Sequence, residues 1–317
     1  MKIENIADIA DIADIAEEIL KESDGYAKMA IQAPEGLKTH LLEVVDRLEE
    51  CGKRVILFAD PCYGACDLKD HEAKELGAEL LVHIGHSEMG VEKELPVIFL
   101  PLFYDANDVK VDESCYRKLI NAIGKRDFSI AYSINFMNVA NEIADGLEDR
   151  GFKAGERVQV LGCSFSSNLK EEIVVYVGDG DFHPLGIALR AKKEVIAFNP
   201  FTKEIKDMAS FKKKFLKQRY GVISIARHAK TFGIIVSTKK GQQNLKLATD
   251  VKKMLEKNGK KGYVLAMDRI EYGELIGYKV DVFVNTACPR IATDDLFEKP
   301  IINPDELEIA LREGHET

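Results

Sequence analysis

The chain has 317 residues, of which 46% are hydrophobic and 31% are charged. This length is enough for two or three domains of ordinary size, and the composition is typical of soluble globular proteins. The net charge of −9 also disfavours a general nucleic-acid-binding protein, because such proteins present a strongly basic surface.

Membrane and secreted proteins have sequence features that this chain does not show. Uncharged apolar runs such as residues 232–238 have the length of a strand, far below the ~20 residues of a membrane helix. Acidic residues interrupt the N-terminal stretch in which a signal peptide would have its apolar region. Six cysteines without a CxxC pair do not resemble a disulfide framework, so we expect reduced thiols and a cytoplasmic location.

Strand-like apolar segments alternate with helical segments along the chain, which predicts parallel β-sheets covered by helices. In chain order the predicted strands are 28–33, 54–59, 79–85, 97–103, 128–134, 157–162, 172–178, 194–199, 232–237, 261–267 and 280–286. The predicted helices between and after them are 37–52, 67–77, 113–125, 138–151, 184–191, 242–259 and one that begins at Pro304.

This alternation repeats three times, and each repeat contains a cysteine just after a strand. We therefore predict an α/β fold of three similar domains, each a small parallel sheet flanked by helices. The predicted domains are residues 1–104, 105–205 and 206–317, with their cysteines converging at a shared centre.

The three cysteines after strands are Cys66, Cys163 and Cys288, each beside a turn-forming Gly or Pro. Ligands of open α/β sheets bind outside the carboxyl ends of the strands, where thiols from three repeats can meet. Three thiolates would leave one iron of a 4Fe-4S cluster without a protein ligand, and such an iron can bind a substrate or pass it an electron. Cys51 and Cys115 instead lie on helices and fit the role of small core residues.

A CxxxC pair and an HxxH pair occur in the first repeat. Cys62 precedes Cys66 by four residues, but a ligand at Cys62 would have no companion after the other strands, so we expect only one of the two to bind metal. The spacing of His83 and His86 occurs in zinc sites. On an extended chain these histidines point to opposite faces, so a shared ion requires a bend, and we favour core or supporting roles.

Two loops are suited to anions. Residues 177–186 and 237–244 follow a strand and open a helix, and helix N-termini bind carboxylates or phosphates. Neither contains a dinucleotide-binding or triphosphate-binding motif. The candidates for a substrate carboxylate are Lys239, Lys240, Gln242 and Arg290. Lysines at such positions are more often exposed surface charges.

Residues 203–230 form a strongly basic segment in an acidic chain, with nine lysine and arginine residues against two acidic residues. Such a segment is usually a solvated helix face, and it is also suited to an acidic or phosphorylated partner. Charge reversal at Lys212, Lys213 and Lys214 distinguishes these two roles.

Six motifs in order along the chain resemble those of the archaeal diphthamide biosynthesis enzymes. They are IQAPEGL (31–37), YGACD (63–67), VLGC (160–163), HPLG (183–186), VSTKKGQ (236–242) and ACPR (287–290). The resemblance implies three α/β domains that each contribute one ligand, Cys66, Cys163 or Cys288, to a 4Fe-4S cluster. Because the family ligand is the cysteine of YGAC, it favours Cys66 over Cys62.

The resemblance also implies the reaction. The family cleaves the methionine-side Cγ–S bond of S-adenosylmethionine and transfers the 3-amino-3-carboxypropyl group to C2 of a histidine in translation elongation factor 2. This implies a homodimer, an external electron donor, no membrane or nucleic-acid partner, and no catalytic residue beyond the cluster ligands. The implied contacts to S-adenosylmethionine are His183, Lys239, Gly241, Gln242 and Arg290.

Two alternatives remain open from the residues alone. The first is a three-domain hydro-lyase similar to quinolinate synthase, which also uses three cysteines and an open iron. The second is a zinc-binding module without enzymatic activity that uses three cysteines and one histidine. Iron and sulfide content and a product derived from S-adenosylmethionine distinguish these alternatives.

Overall fold

A computed structural model describes residues 12–104, 109–160, 169–293 and 298–312. The chain divides into two compact units, one that ends at Ala209 and one that begins at Ser210. The first unit contains two β-sheets and the second contains one, and helices flank all three. The predicted α/β class with three mainly parallel sheets is confirmed, whereas the division into domains at residues 104/105 and 205/206 stays a prediction.

The first sheet is entirely parallel. Its strands are β1 (Lys28–Gln32), β2 (Arg54–Leu57), β3 (Leu80–Ile84) and β4 (Val97–Leu100), in the order β2-β1-β3-β4. The helices of this part are α1 (Ile12–Glu22), α2 (Lys38–Glu50) and α3 (Asp70–Glu75). Residues of β1 and β3 are buried on both faces, as expected for parallel strands between helices.

The second sheet adds an antiparallel edge to the same arrangement. Its strands are β5 (Phe128–Tyr132), β6 (Ala154–Gln159), β7 (Ile173–Val177), β8 (Glu194–Asn199) and β9 (Glu204–Asp207), in the order β6-β5-β7-β8-β9. Only the β8/β9 pair is antiparallel. Its helices are α4 (Glu113–Ile123), α5 (Met137–Glu148) and α6 (Phe182–Arg190).

The third sheet is again entirely parallel. The long helix α7 (Met208–His228) precedes it. Its strands are β10 (Thr231–Ser237), β11 (Lys261–Met267), β12 (Val282–Asn285) and β13 (Ile301–Ile302), in the order β11-β10-β12-β13. Its remaining helices are α8 (Leu245–Lys257), α9 (Tyr272–Leu275) and α10 (Pro304–Arg312).

Helix α8 shows how the sequence specifies these elements. The side chain of Asn244 accepts a hydrogen bond from the Leu247 amide and caps the first turn. Ala248, Val251 and Leu255 recur at helical spacing and are buried against the sheet. The helix therefore begins at a polar cap and continues for as long as its apolar face packs against the sheet.

The three repeats share their helix endings as well as their strand order. A glycine with positive φ follows α2, α5 and α8, and its amide donates to a helix carbonyl three residues earlier. This backbone conformation is unfavourable for residues with a Cβ atom, so glycine ends the helix and turns the chain toward the next strand. The glycines are Gly52, Gly151 and Gly259.

Two lysines in equivalent positions mark the same repetition. Lys53 donates to two backbone carbonyls just beyond α1, and Lys260 donates to two carbonyls at the end of α7. Each ammonium therefore stabilises the carboxyl-terminal end of the helix that precedes its sheet. The repeat seen in the sequence pattern is thus also present in individual contacts.

Some short elements of the structure were not predicted from the sequence. The short strands β9 and β13 were not predicted, and the basic segment 203–230 contains β9 as well as helix α7.

Among the residues that the structure describes, no helix combines the length and the apolar character that a membrane span requires.

Candidate functional site

The strand order places a topological switch point between the first and third strands of each sheet. Ligands bind at such points, outside the carboxyl ends of the strands. In the first sheet Gln32 ends β1 and pairs with His83 near the end of β3, and both side chains are buried. Buried Tyr176 of β7 and Asn285 of β12 occupy the positions that correspond to His83.

Gln32 fixes the loop that contains Cys66. Its side-chain amide donates to the Asp67 carbonyl at 2.5 Å, and its oxygen accepts from the Lys69 amide at 3.2 Å. Cys66 lies directly before these residues, in a turn closed by the Asp67 amide and the Gly64 carbonyl. The Cys66 side chain is half-buried, so this turn presents a partly shielded thiol beyond β2.

His83 and His86 meet rather than point apart. The chain bends at Gly85, whose φ is +88°, and brings His83 Nε2 to 3.1 Å from His86 Nδ1. Cys62 Sγ lies 3.9 Å from the same His83 nitrogen. The chain is therefore not extended between the two histidines, and the bend that a shared ion requires is present.

Both histidines are neutral at neutral pH. Burial, together with the neighbouring His86, lowers the pKa of His83 to about 3. Burial lowers the pKa of His86 to about 4. Neutral imidazoles retain a lone pair on one ring nitrogen, which can accept a hydrogen bond or bind a metal ion.

In the second sheet His183 is close to a buried tyrosine. Its Nδ1 lies 3.3 Å from the Tyr176 hydroxyl, and the two rings stack with centroids 6.0 Å apart. Ser133 also hydrogen-bonds to this tyrosine, whose pKa is raised by burial. His183 belongs to the first turn of α6, which begins two residues before the predicted start at residue 184. The predicted ligand Cys163 lies outside the described residues.

In the third sheet Asn285 positions the turn that contains Cys288. Its Nδ2 donates to the Cys288 carbonyl at 2.9 Å and to Asn303 Oδ1 at 3.0 Å. Its Oδ1 accepts from the Ala287 amide at 3.1 Å. Cys288 is half-buried and directly precedes the 3₁₀ turn Pro289–Ala292. The thiol therefore lies at the carboxyl end of β12 on a hydrogen-bonded turn.

The loop after β10 differs from the expectation of exposed lysines. Lys239 is buried, with Nζ 3.4 Å from Asp268 Oδ2, because its backbone folds back onto Ser237. Gln242 is half-buried, and its backbone amide donates a hydrogen bond to the Lys239 carbonyl. This bond closes a turn that contains the exposed Gly241.

The remaining candidates of this unit are more accessible. Lys240 is half-buried and Arg290 is exposed. Arg290 is the second residue of the 3₁₀ turn and follows Cys288 by two positions. A guanidinium at this position is suited to a carboxylate, which it can bind with two parallel hydrogen bonds.

Within the first unit the structure brings together two groups of side chains, Cys62 with both histidines and His183 with Tyr176. Within the second unit Cys288 and Arg290 share one turn, and Lys239 and Gln242 share another. The convergence of the three predicted cluster ligands stays a prediction.

Several supporting residues of these sites were not predicted from the sequence. They are Gln32, Tyr176, Asp268 and Asn285. Three of them had a readable signal, a polar residue near the end of an otherwise apolar strand: Gln32, Tyr176 and Asn285. A polar side chain there has to find a hydrogen-bond partner in the interior, which favours a positioning role.

Comparison with known proteins places these features in a family. Residues 33–317 match the family model for diphthamide synthesis proteins. The chain is 36% identical to the 2-(3-amino-3-carboxypropyl)histidine synthase of Pyrococcus horikoshii, over 94% of this chain and 91% of the relative. It is 30% identical to the synthase of Methanocaldococcus jannaschii, over 90% of this chain and 84% of the relative. A relative in Caenorhabditis elegans, named as subunit 1 of this synthase, is 30% identical over 89% of this chain and 75% of its own length.

Solved structures agree with the sequence comparisons. The crystal structure of Dph2 from Pyrococcus horikoshii matches with a TM-score of 0.86 at 34% identity, over 97% of this chain and 92% of that one. The structure of the same protein with a 4Fe-4S cluster matches with a TM-score of 0.85 at 33% identity, over the same shares of both chains. This agreement favours the predicted synthase over the hydro-lyase and the zinc-binding module. The chain therefore belongs to the family of diphthamide synthesis proteins.

Proposed function

We propose that this protein transfers the 3-amino-3-carboxypropyl group of S-adenosylmethionine to C2 of a histidine imidazole in translation elongation factor 2. This is the first step of diphthamide synthesis. The observation that supports the proposal most directly is the match, over 97% of the chain, to a family structure that contains a 4Fe-4S cluster. The proposed substrate is a factor of translation, which implies that the reaction takes place in the cytoplasm.

Cys66, Cys163 and Cys288 are the proposed ligands of a 4Fe-4S cluster in this chain. The two described thiols fit this role, because both are half-buried on hydrogen-bonded turns at the carboxyl ends of strands. When bound, a cluster with three protein thiolates supplies an open iron for the sulfonium substrate and an electron for cleavage of its Cγ–S bond. Gln32 and Asn285 keep the two described turns in place.

The protein's remaining task is to orient the methionine part of S-adenosylmethionine, because this orientation decides which carbon–sulfur bond breaks. Arg290 is proposed to bind the carboxylate, since its exposed guanidinium lies on the turn after Cys288. Gln242, Gly241 and Lys239 are proposed contacts from the turn after β10. His183, hydrogen-bonded to Tyr176, is the proposed contact from the second sheet.

The proposed partners are elongation factor 2, a second copy of the chain and an external one-electron donor. Helix α7 is the proposed docking segment for elongation factor 2, because Lys213 and Lys214 are exposed on it. The eukaryotic relatives are named as subunit 1 of the synthase, so those proteins act with another subunit, which supports an assembly of two chains here.

The nucleoside product tests the reaction. Anaerobic protein reduced with dithionite and given S-adenosylmethionine should release methylthioadenosine, because the methionine-side bond is the one to be cleaved. Elongation factor 2 added to the mixture should gain the aminocarboxypropyl group on a histidine, which mass spectrometry detects. Formation of mainly 5′-deoxyadenosine would contradict the proposed orientation of the substrate.

Iron content tests the ligands. Anaerobically purified protein should be brown and contain about four iron atoms per chain. Alanine at Cys66, Cys163 or Cys288 should abolish this iron, whereas Cys62→Ala should retain it. Retention of iron in Cys66→Ala together with its loss in Cys62→Ala would show that the ligand was assigned to the wrong cysteine.

Charge reversal on α7 tests the docking segment. Glutamate at Lys212, Lys213 and Lys214 should slow modification of elongation factor 2 with a strong dependence on salt, because it weakens electrostatic association. Cleavage of S-adenosylmethionine without the protein substrate should not change. Equal transfer rates for the variant and the unmodified protein at two ionic strengths would assign these lysines to a solvated helix face.

A further inference from the structure

Three side chains in the first unit form a compact group that the proposed reaction does not use. The thiol of Cys62 and one ring nitrogen each of His83 and His86 all lie within 4.8 Å of one another. Cys62 is 5% exposed and His83 is fully buried. The group contains none of the three cysteines proposed as cluster ligands.

The backbone holds these side chains on two separate elements. His83 belongs to β3, and the left-handed conformation of Gly85 turns the chain so that His86 faces back toward it. Pro34 packs against this glycine, and a Cβ atom at Gly85 would lie 3.0 Å from the proline ring. The bend is therefore fixed by packing as well as by the glycine, and Cys62 approaches from the loop after β2.

Gln32 selects the tautomer of His83. Its amide nitrogen donates to the Asp67 carbonyl and its oxygen accepts from the Lys69 amide, so the oxygen is the atom that faces His83. His83 Nδ1 lies 3.3 Å from this oxygen and donates its proton to it. Nε2 then has its lone pair directed toward Cys62 and His86. A carbonyl partner on the far nitrogen is the arrangement usual for metal-binding histidines.

We propose that Cys62, His83 and His86 bind one divalent transition metal ion, with Zn²⁺ the ion best suited to this ligand set. A thiolate and two neutral imidazoles are typical zinc ligands, and three protein ligands leave a fourth position for water. A tetrahedral zinc ion separates two imidazole nitrogens by about 3.3 Å and a nitrogen from a thiolate sulfur by about 3.6 Å.

The observed geometry is close to those separations. The nitrogens of His83 and His86 are 3.1 Å apart, and Cys62 Sγ is 3.9 Å from His83 Nε2. These two separations are within a few tenths of an ångström of the zinc values, and the third, between Cys62 Sγ and the His86 ring nitrogen, is at most 4.8 Å and has to shorten when the ion binds. Both imidazoles are also neutral at neutral pH, as metal binding requires. His86 Nδ1 lies at hydrogen-bonding distance from His83 Nε2, the nitrogen that is left unprotonated by the hydrogen bond to Gln32.

Zinc analysis of the cluster-containing protein tests the site. Brown protein purified with chelator and incubated anaerobically with Zn²⁺ should retain about one zinc per chain after desalting, with its iron content unchanged. Cys62→Ser and His86→Gln should each lose this zinc and keep their iron. The matched controls are His40→Gln, which replaces a half-buried imidazole on helix α2, and Cys51→Ser, which replaces an exposed thiol at the end of that helix. Both controls should retain zinc.

Cobalt gives a spectroscopic readout that does not depend on iron. In a full-length variant with serine at the three proposed cluster ligands, Co²⁺ should produce a thiolate-to-cobalt charge-transfer band, and added Zn²⁺ should remove it. Further replacement of Cys62 should abolish the band, with circular dichroism to confirm folding.

The outcomes separate the two proposals. The metal site is overturned if the cluster-containing protein retains no zinc. It is also overturned if Cys62→Ser and His86→Gln retain as much zinc as the unmodified protein, whatever the iron content. Zinc that binds only as iron is lost also overturns it, because the metal would then occupy the cluster ligands. Zinc that is retained by a protein that never binds iron, and that is lost in Cys62→Ser, supports this site and contradicts the proposed cluster.

Discussion

In the first sheet Cys66 lies nine residues beyond Leu57, the last residue of β2, whereas in the third sheet Cys288 lies three residues beyond Asn285, the last residue of β12. The two sheets otherwise share strand order and register, and His83 and Asn285 occupy equivalent positions. The residue paired with His83 is Gln32, and the residue paired with Asn285 is apolar. Each sheet thus fixes its cysteine with a different polar side chain.

The length of the connection explains the difference. Cys288 is close enough to its strand for Asn285 to bind both its carbonyl and the Ala287 amide. The longer loop before Cys66 is beyond the reach of its own strand, so Gln32 of the neighbouring strand binds it instead. One backbone plan therefore allows different chemistry at equivalent positions, and substitutions in the two sheets can test whether these side chains have equivalent roles.

The largest effect is expected from Asn285→Leu. This change removes two hydrogen bonds to the turn of Cys288 and one to Asn303 and leaves buried polar groups without partners, which should cost about 3 kcal/mol of unfolding free energy. Iron content should fall with it. Urea denaturation and iron analysis measure both effects, and Asn121→Leu on the exposed face of α4 is the control. Unchanged stability and iron would mean that Asn285 does not position the turn.

Gln32→Leu should have a somewhat smaller effect, about 2 kcal/mol, because two of its three hydrogen bonds are longer than 3.1 Å. The Lys69 amide should exchange its hydrogen faster, since it loses its acceptor. Hydrogen exchange by mass spectrometry of the peptide that contains Lys69 measures this, with Gln218→Leu on exposed α7 as the control. Unaltered exchange in this peptide would show that the backbone alone fixes the loop of Cys66.

The equivalent lysines test the repeat itself. Lys53→Met and Lys260→Met should each cost about 1 kcal/mol, because each removes an ammonium from the carbonyls at a helix end. Burial lowers the pKa of Lys260, so its net contribution to the free energy of unfolding should not exceed that of an exposed cation. Thermal unfolding compares the two variants, and Lys217→Met is the control. A loss confined to one of the two lysines would argue against an equivalent role in both repeats.

The smallest effect is expected at two equivalent carboxylates, Glu79 directly before β3 and Asp281 directly before β12. The amides of Lys28 and Ala27 lower the pKa of Glu79, and those of Lys230 and Thr231 lower the pKa of Asp281. A carboxyl group with a lower pKa in the folded state stabilises the protein above its unfolded pKa, and this contribution is lost as the pH falls through the folded pKa.

Asp281→Asn should therefore reduce stability at neutral pH and flatten the decrease in stability below about pH 4. Glu79→Gln should change the profile in the same direction. Urea denaturation at a series of pH values measures the profiles. A variant profile parallel to that of the unmodified protein through the acid range would contradict the role assigned to the carboxylate.

Much of the fold was predictable because its signals are local. Apolar runs such as residues 232–237 identify buried strands, and the apolar spacing in residues 242–259 identifies a helix. The short edge strands β9 and β13 were missed because each contains too few residues for a periodic pattern and is defined only by its pairing with the strand before it, β8 or β12.

The sequence by itself determined the α/β class, the threefold alternation, the cysteines that follow strands and the family to which the chain belongs. Only the tertiary structure decided that Lys239 is buried beside Asp268, that Gln32 binds the loop of Cys66, and that Cys62 meets both histidines. The physical reason is that strand and helix periodicity depends on neighbouring residues, whereas these contacts join residues 20 to 40 positions apart. Such contacts depend on strand order and on a single bend at Gly85, which no periodic pattern specifies.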